Sequence, residues 1–314
     1  MAKVKFNECT ISGELLDIFD VKKSPIKSKD AEGVEFDNEI ARCKFLIDTG
    51  KGQKRTVEWS ARKFNGDGTP SPVYSRIMTL GNSLTTKAEN ESGGDLINCV
   101  CTLDGNAFYT KDLELVENYN ISCRFCNTEA ESKFPIRPGA KWQVYGLVKE
   151  ITEQVDTVSN KPYLDVKLAV NKYAYNGKAS WGIIPFRAYN DVETFKKMFK
   201  VGSIAFFKGQ FGESITQTTG AYGTANEQRI ERYISIEGAL PPVATLDENG
   251  YTVLDANICG MENFPFTEEL IKVQETGYAE MLEKAKVRME EKLQNVGDTM
   301  EIDEDDIPFC ATRF

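Results

Sequence analysis

The chain has 314 residues, 41% hydrophobic and 11% aromatic, with 38 basic and 48 acidic side chains and a formal net charge of −10. That length suits two modest domains with extra segments, and no run of about 18 apolar residues marks a membrane span. Histidine is absent, which removes Ser-His and Cys-His catalysis and leaves only thiolates or carboxylates for a zinc site.

Phosphate-loop and dinucleotide-binding glycine motifs are missing as well. The opening MAKVKFNECT lacks the apolar stretch of a signal peptide, and eight cysteines without one point to a reducing compartment. The charge is unevenly placed. Residues 262–314 carry 14 acidic and 6 basic groups, whereas residues 133–213 carry 13 basic and 7 acidic. A mildly basic body therefore precedes a strongly acidic end.

Alternation with a period of two dominates the first 240 residues. In chain order, ECTISGELLDI (8–18) predicts a first strand, and ARCKFLIDTG (41–50) and TVEWSARKFN (56–65) the next two. Residues 66–95, rich in Gly, Ser, Thr and Asn, predict a loop. INCVCTL (97–103) and YNISCRF (119–125) supply two more strands. They carry Cys99, Cys101 and Cys123, with Cys126 directly after the second, and these four thiolates could hold zinc tetrahedrally or pack as small core residues.

The same order then returns more clearly. WQVYGLVKEI (142–151) is a first strand with Gly146 where the earlier copy has Gly13. YLDVKLAVNKYAY (163–175) alternates strictly, Asn176-Gly177 signals a hairpin, and WGIIPFRAYN (181–190) returns as a third strand. VETFKKMFK (192–200) has helical spacing, and GSIAFFKGQF (202–211) and RIERYISIEG (229–238) complete five strands. Residues 214–228 predict a loop between the last two. Setting Asn65 on Asn190 puts Phe64 on Tyr189 and Arg62 on Arg187, so the two copies share a pleat. The order strand-strand-strand-helix-strand-strand is that of a five-stranded oligonucleotide-binding (OB) barrel.

The predicted fold is therefore mainly β: tandem OB barrels, residues 1–130 and 131–242, followed by an extension over 243–295. That extension holds a helix at 267–294 with Thr267 as N-cap and Glu268 and Glu269 in its first turn. Its apolar stripe can pack on the barrels or on a partner helix. Residues 296–314 form a charged tail whose composition predicts disorder.

Two stretches resemble the bacterial single-stranded-DNA-binding proteins. FKVGSIAFFKGQFGES (199–214) is similar to their helix-glycine-strand passage, and EIDEDDIPF (301–309) to the acidic tip with which they end. The resemblance implies grip on single strands without sequence preference, no cofactor and no catalysis. It implies replication and repair partners docked by Asp303, Glu304, Asp305, Asp306, Ile307, Pro308 and Phe309. Two barrels in one chain resemble the arrangement of the family's dimerising members, which implies a homodimer in the cytoplasm of a bacterial or phage-infected cell. The tail departs from the family in running on to Phe314.

Binding a single strand requires cations for phosphates and flat rings for bases. Pleat parity nominates Lys167, Tyr173, Tyr175, Trp181, Arg187 and Tyr189 in the second barrel. In the first it nominates Lys44, Arg62 and Phe64, with Lys54 and Arg55 at the strand entry. Outward tyrosines are also what strand propensity alone favours, and Trp59 and Trp142 have core parity. The rival readings are a tandem-barrel scaffold or recombination mediator with little affinity for nucleic acid, an RNA binder, and a metal-dependent nuclease on an OB platform.

Overall fold

The computed structural model of the protein describes residues 5–29, 32–156, 159–172, 180–219 and 226–295. Tyr173, Tyr175 and the acidic tail of residues 296–314 lie outside the described residues.

Strands β1 (Asn7–Lys29), β2 (Glu35–Asp48), β3 (Lys54–Arg62), β4 (Leu96–Tyr109) and β5 (Leu115–Thr128) form the first barrel. They run in the order β1-β2-β3-β5-β4, and β4 closes on β1. The β3–β5 pairing is parallel, with Trp59 opposite Cys123. Strands β6 (Gly139–Val155), β7 (Pro162–Lys172), β8 (Ser180–Ala188), β9 (Ser203–Thr219) and β10 (Asn226–Ala239) repeat that topology. Their order is β6-β7-β8-β10-β9, closed by β9 on β6, with β8 and β10 parallel at Arg187 and Ser235. Both are five-stranded Greek-key barrels of the OB type.

Hydrophobic alternation explains the interiors. Leu164, Val166, Leu168 and Val170 all face inward and are fully buried, as are Phe45, Val57 and Trp59 in the first barrel. A second apolar cluster lies outside the second barrel. There Tyr145, Leu147, Trp181 and Ile183 are covered by Phe264, Phe266 and Ile271 of the C-terminal extension.

Two expected loops are structured. Residues 66–95 contain helix α1 (Pro72–Ser83), which starts where the Ser71 side chain accepts from the Tyr74 amide and Pro72 fills the first turn. Tyr74, Ile77 and Leu80 form its buried face. It occupies the position that helix α2 (Val192–Met198) holds in the second barrel. Residues 214–219 continue β9 rather than opening a loop, because the β9–β10 ladder extends to Thr219 opposite Asn226.

Beyond the barrels, β11 (Ala244–Asp247) adds to β9 at Ile204, and β12 (Gly250–Val253) pairs with β11. A one-turn helix α3 (Ala256–Cys259) precedes α4 (Glu268–Asn295). Thr267 accepts from the Leu270 amide at 3.3 Å, as an N-cap should. Ile271 and Gln274 of α4 are buried, and the Tyr278 hydroxyl donates to Glu117 of β5 at 2.8 Å. The first part of the helix thus packs within the same chain.

The barrels are joined intimately. β1 also pairs with β6, from Asn7 opposite Val144 to Ser12 opposite Gly139. The Asn7 amide donates at 2.8 Å to the carbonyls of both Leu103 and Asn171. Gly105 and Gly182 meet backbone to backbone: a Cβ on Gly105 would lie 2.7 Å from Gly182, and one on Gly182 2.5 Å from Gly105. Only glycine permits that approach.

Candidate nucleic-acid interface

Residues that alternate with the buried ones on β7, β8 and β10 point away from the second barrel's interior. Three of them, Tyr163, Arg187 and Tyr233, converge with Tyr189 just past the end of β8. The Arg187 guanidinium lies 5.0 Å from the Tyr163 ring centre and 4.9 Å from that of Tyr233. Two rings thus flank the cation, and Tyr189 lies beside them, 5.2 Å from Tyr163 and 5.7 Å from Tyr233. These rings sit at strands two, three and five of the barrel, between the β6–β7 and β9–β10 hairpins. OB barrels bind oligonucleotides on their strand-two and strand-three face and on these two hairpins.

Hydrogen bonds fix the cluster. Arg187 donates to Glu231 and, at 3.4 Å, to the Tyr189 hydroxyl, which in turn donates to Asp156 at 3.1 Å. Burial pushes Tyr189 up to about 12 against the opposing pull of Arg187. Burial alone would lower Arg187, but its bonds to Tyr189 and Glu231 outweigh that and hold it firmly charged. Beside the rings opens a cleft of about 450 Å³, lined by Asp156, Lys161, Tyr189, Glu213, Ser214 and Tyr233.

The other nominated residues fare unevenly. Lys167 sits on the same outer face but is held at 3.0 Å by Glu117 of the first barrel and at 3.1 Å by Glu150. Burial opposes its charge and these two bonds restore it, so it titrates above the usual lysine range. It ties the barrels and the Tyr278 hydroxyl together through Glu117.

Trp181 corrects the parity argument. It points outward, as expected, yet is only 5% exposed, because the extension lays Phe266 6.5 Å from its ring and Lys149 sits 5.5 Å above it. It is a packing residue, out of reach of a base.

Arg55 is a second correction. It shares the parity of Val57 and Trp59 and is 3% exposed. Its guanidinium pairs with Glu213 of β9 and lies 5.8 Å from the Phe211 ring. Rather than waiting at a strand entry for phosphate, it locks the first barrel onto the second. The Nε and Nη2 atoms of Arg55 have no hydrogen-bond partner.

On the first barrel, Lys44 is half-buried and pairs with Glu58 at 2.7 Å, Arg62 is half-buried, and Lys54 is exposed. Phe64 is half-buried with the Lys63 ammonium 5.6 Å from its ring. Phe19, 42% exposed and directly opposite Lys44, was absent from the sequence-derived set, as was the Lys22–Arg42 pair one step along the same face. Two bulges in β1, before Asp17 and before Lys22, hide that register from residue counting. Tyr163 and Tyr233 were missed too, although Tyr163 shares the parity of Lys167 and was legible.

Cys9, Cys43, Cys99, Cys101, Cys123 and Cys126 are all buried in the first barrel. Cys101 stands opposite both Cys9 and Cys123, and Cys99 opposite Cys126. A bulge at Arg124 of β5, where pairing steps from Phe125 opposite Val100 to Cys123 opposite Cys101, lets Cys123 and Cys126 face the same way. Among the described residues, no group of three or more Cys, Asp or Glu is placed to hold a metal ion. Burial pushes the Cys43 thiol up to about 12, as expected of an inert core sulfur.

Fold and site together define a tandem OB-barrel protein with an aromatic and cationic cluster on the outer face of its second barrel. The family model YorF matches residues 7–258, and the chain belongs to the YorF family. Among curated proteins, none matches the chain. Among solved structures, a deletion variant of the single-stranded DNA binding protein from Thermus aquaticus is similar, with 13% identity and a TM-score of 0.41. The likeness covers 77% of this chain and 97% of that one. Among the described residues, no helix is long and apolar enough to cross a membrane.

Proposed function

We propose that this protein binds single-stranded DNA without sequence specificity through the outer face of its second barrel, in replication, recombination or repair. The observation that carries this reading is the Arg187 guanidinium held between the Tyr163 and Tyr233 rings, with Tyr189 beside them. Rings offer bases a stacking surface, each worth about 1–3 kcal/mol, whatever the base. The role is binding rather than catalysis and needs no cofactor.

On the same reading the chain divides into barrels at 1–130 and 131–242, an extension to 295 and a tail over 296–314. It works as a homodimer in the cytoplasm of a bacterial or phage-infected cell. The residues Asp303, Glu304, Asp305, Asp306, Ile307, Pro308 and Phe309 recruit replication and repair proteins. The acids steer toward a basic surface while Ile307 and Phe309 fill an apolar pocket. Deleting residues 298–314 is expected to abolish partner pull-down and to tighten DNA binding. Unchanged behaviour in both assays ends the tail proposal.

One observation favours a second reading, a tandem-barrel scaffold with little affinity for nucleic acid. Glu231 pairs with Arg187, and Glu117 and Glu150 with Lys167, so these cations are already matched. A titration of labelled poly-dT, duplex DNA and RNA at two salt concentrations separates the two. A strand binder raises the anisotropy of poly-dT and weakens as salt rises, because cations displace counterions from the strand. A scaffold does neither.

A further inference from the structure

The cleft beside the rings has a charge pattern ill suited to phosphate. Lys161, Arg187 and Arg232 lie in or next to it, and so do Asp156, Glu213 and Glu231. The pairing is tight: Glu213 accepts from both Arg55 and Arg232, and Glu231 from Arg187 and, at 3.5 Å, from the Ser214 hydroxyl. The arginines are each matched to Glu213 or Glu231, so little unpaired charge is left to draw an anion. These pairs do leave donors and acceptors side by side against the Tyr189 and Tyr233 rings.

A flat, uncharged group with both kinds of edge fits such a cleft, and that describes a nucleobase. A base taken out of a strand is read by stacking on rings and by hydrogen bonds to its edge. The bases differ in what they offer. Thymine presents a single donor between two acceptors. Guanine presents adjacent N1 and N2 donors, which suit a carboxylate, and the O6 and N7 acceptors, which suit an arginine fork.

We infer that the cleft between the β6–β7 and β9–β10 hairpins takes one guanine base of a bound single strand, its donor edge on a carboxylate and its acceptor edge on an arginine. This rests on the single-strand reading above and adds to it a base preference at one position. The remainder of the strand is held without preference by stacking and phosphate contact, so the preference appears as a modulation of affinity rather than as a recognised sequence.

The test uses the full chain and fluorescence anisotropy with labelled oligonucleotides at one salt concentration. Compared are an all-thymine strand, the same strand with isolated guanines too sparse to fold on themselves, and matched strands carrying adenine or inosine instead. Guanine is expected to bind about tenfold tighter than thymine, as a good paired edge contact allows. Inosine, which lacks only the N2 amino group, should lose most of that gain, and Asp156→Asn should shrink the difference between guanine and thymine. Equal affinity for all four strands overturns the inference and leaves the single-strand reading standing. No binding to any strand overturns the single-strand reading itself.

Discussion

The two barrels share a topology and use their surfaces differently. In the first, Arg55 turns inward to grip Glu213, Glu117 of β5 holds Lys167 and the Tyr278 hydroxyl, and Gly105 on β4 is pressed against Gly182. In the second, the corresponding effort goes outward, into the ring cluster around Arg187. Five-strand connectivity thus specifies an interior, while a handful of outward positions decide whether a barrel assembles or binds. Among the described residues the first barrel carries a smaller strip, exposed Phe19, Lys22 and Arg42 beside half-buried Lys44.

The largest effect expected from this contrast is on stability. Removing one partner of a buried ion pair typically costs about 3–5 kcal/mol, so Arg55→Ala should lower denaturant stability by that order. Replacing both partners, with Arg55→Met and Glu213→Leu, should recover much of the loss. If Arg55→Ala instead leaves stability intact and weakens DNA binding, the division of labour between the barrels is wrong.

Trp181→Ala sharpens the same point. Truncating a buried tryptophan costs about 3–5 kcal/mol, visible as a lower midpoint in urea. Affinity for single strands, measured on the folded fraction, should stay within about twofold, since a change of that size is small beside the worth of one stacked ring.

Next come the rings themselves. Tyr189→Ala and Tyr233→Ala should each weaken binding, measured on the folded fraction, by about 1–3 kcal/mol. Phe19→Ala on the first barrel should cost less, because fewer rings surround it. Equal losses at Phe19 and Tyr189 would make the barrels equivalent binders.

The smallest effect is a titration. Tyr189 ionises near about 12 when folded, against about 10 in an unfolded chain. Its neutral ring therefore contributes stability fully below about pH 10 and loses it as pH climbs to about 12. In a phenolate titration, Tyr189→Phe should remove a group from the late end of the curve, not from the part near pH 10.

Much of the fold was legible because alternation reports directly on the pleat. Leu164, Val166, Leu168, Val170, Trp59 and Trp142 fall inside as their parity requires. Arg55 was legible too, since it stands two and four residues from Val57 and Trp59, but its charge argued for the surface. Helix α1 was hidden by the Gly- and Ser-rich flanks around the Ser71-Pro72 start. Trp181 illustrates a deeper limit: parity tells which side of a sheet a residue faces, not whether Phe264 and Phe266, some 80 residues later, will cover it. The cluster itself draws on three strands, and no local pattern announces that Tyr163, Arg187 and Tyr233 meet.

The claim that the second barrel's outer face holds the strand is tested most directly by photocrosslinking. A single strand bearing photoreactive thymine analogues would be irradiated with the full chain and the attached peptides mapped by mass spectrometry. Attachment at Tyr163, Tyr189 and Tyr233 is the expected result. Attachment confined to the first barrel, or at residues buried beneath the extension such as Trp181, would contradict the account.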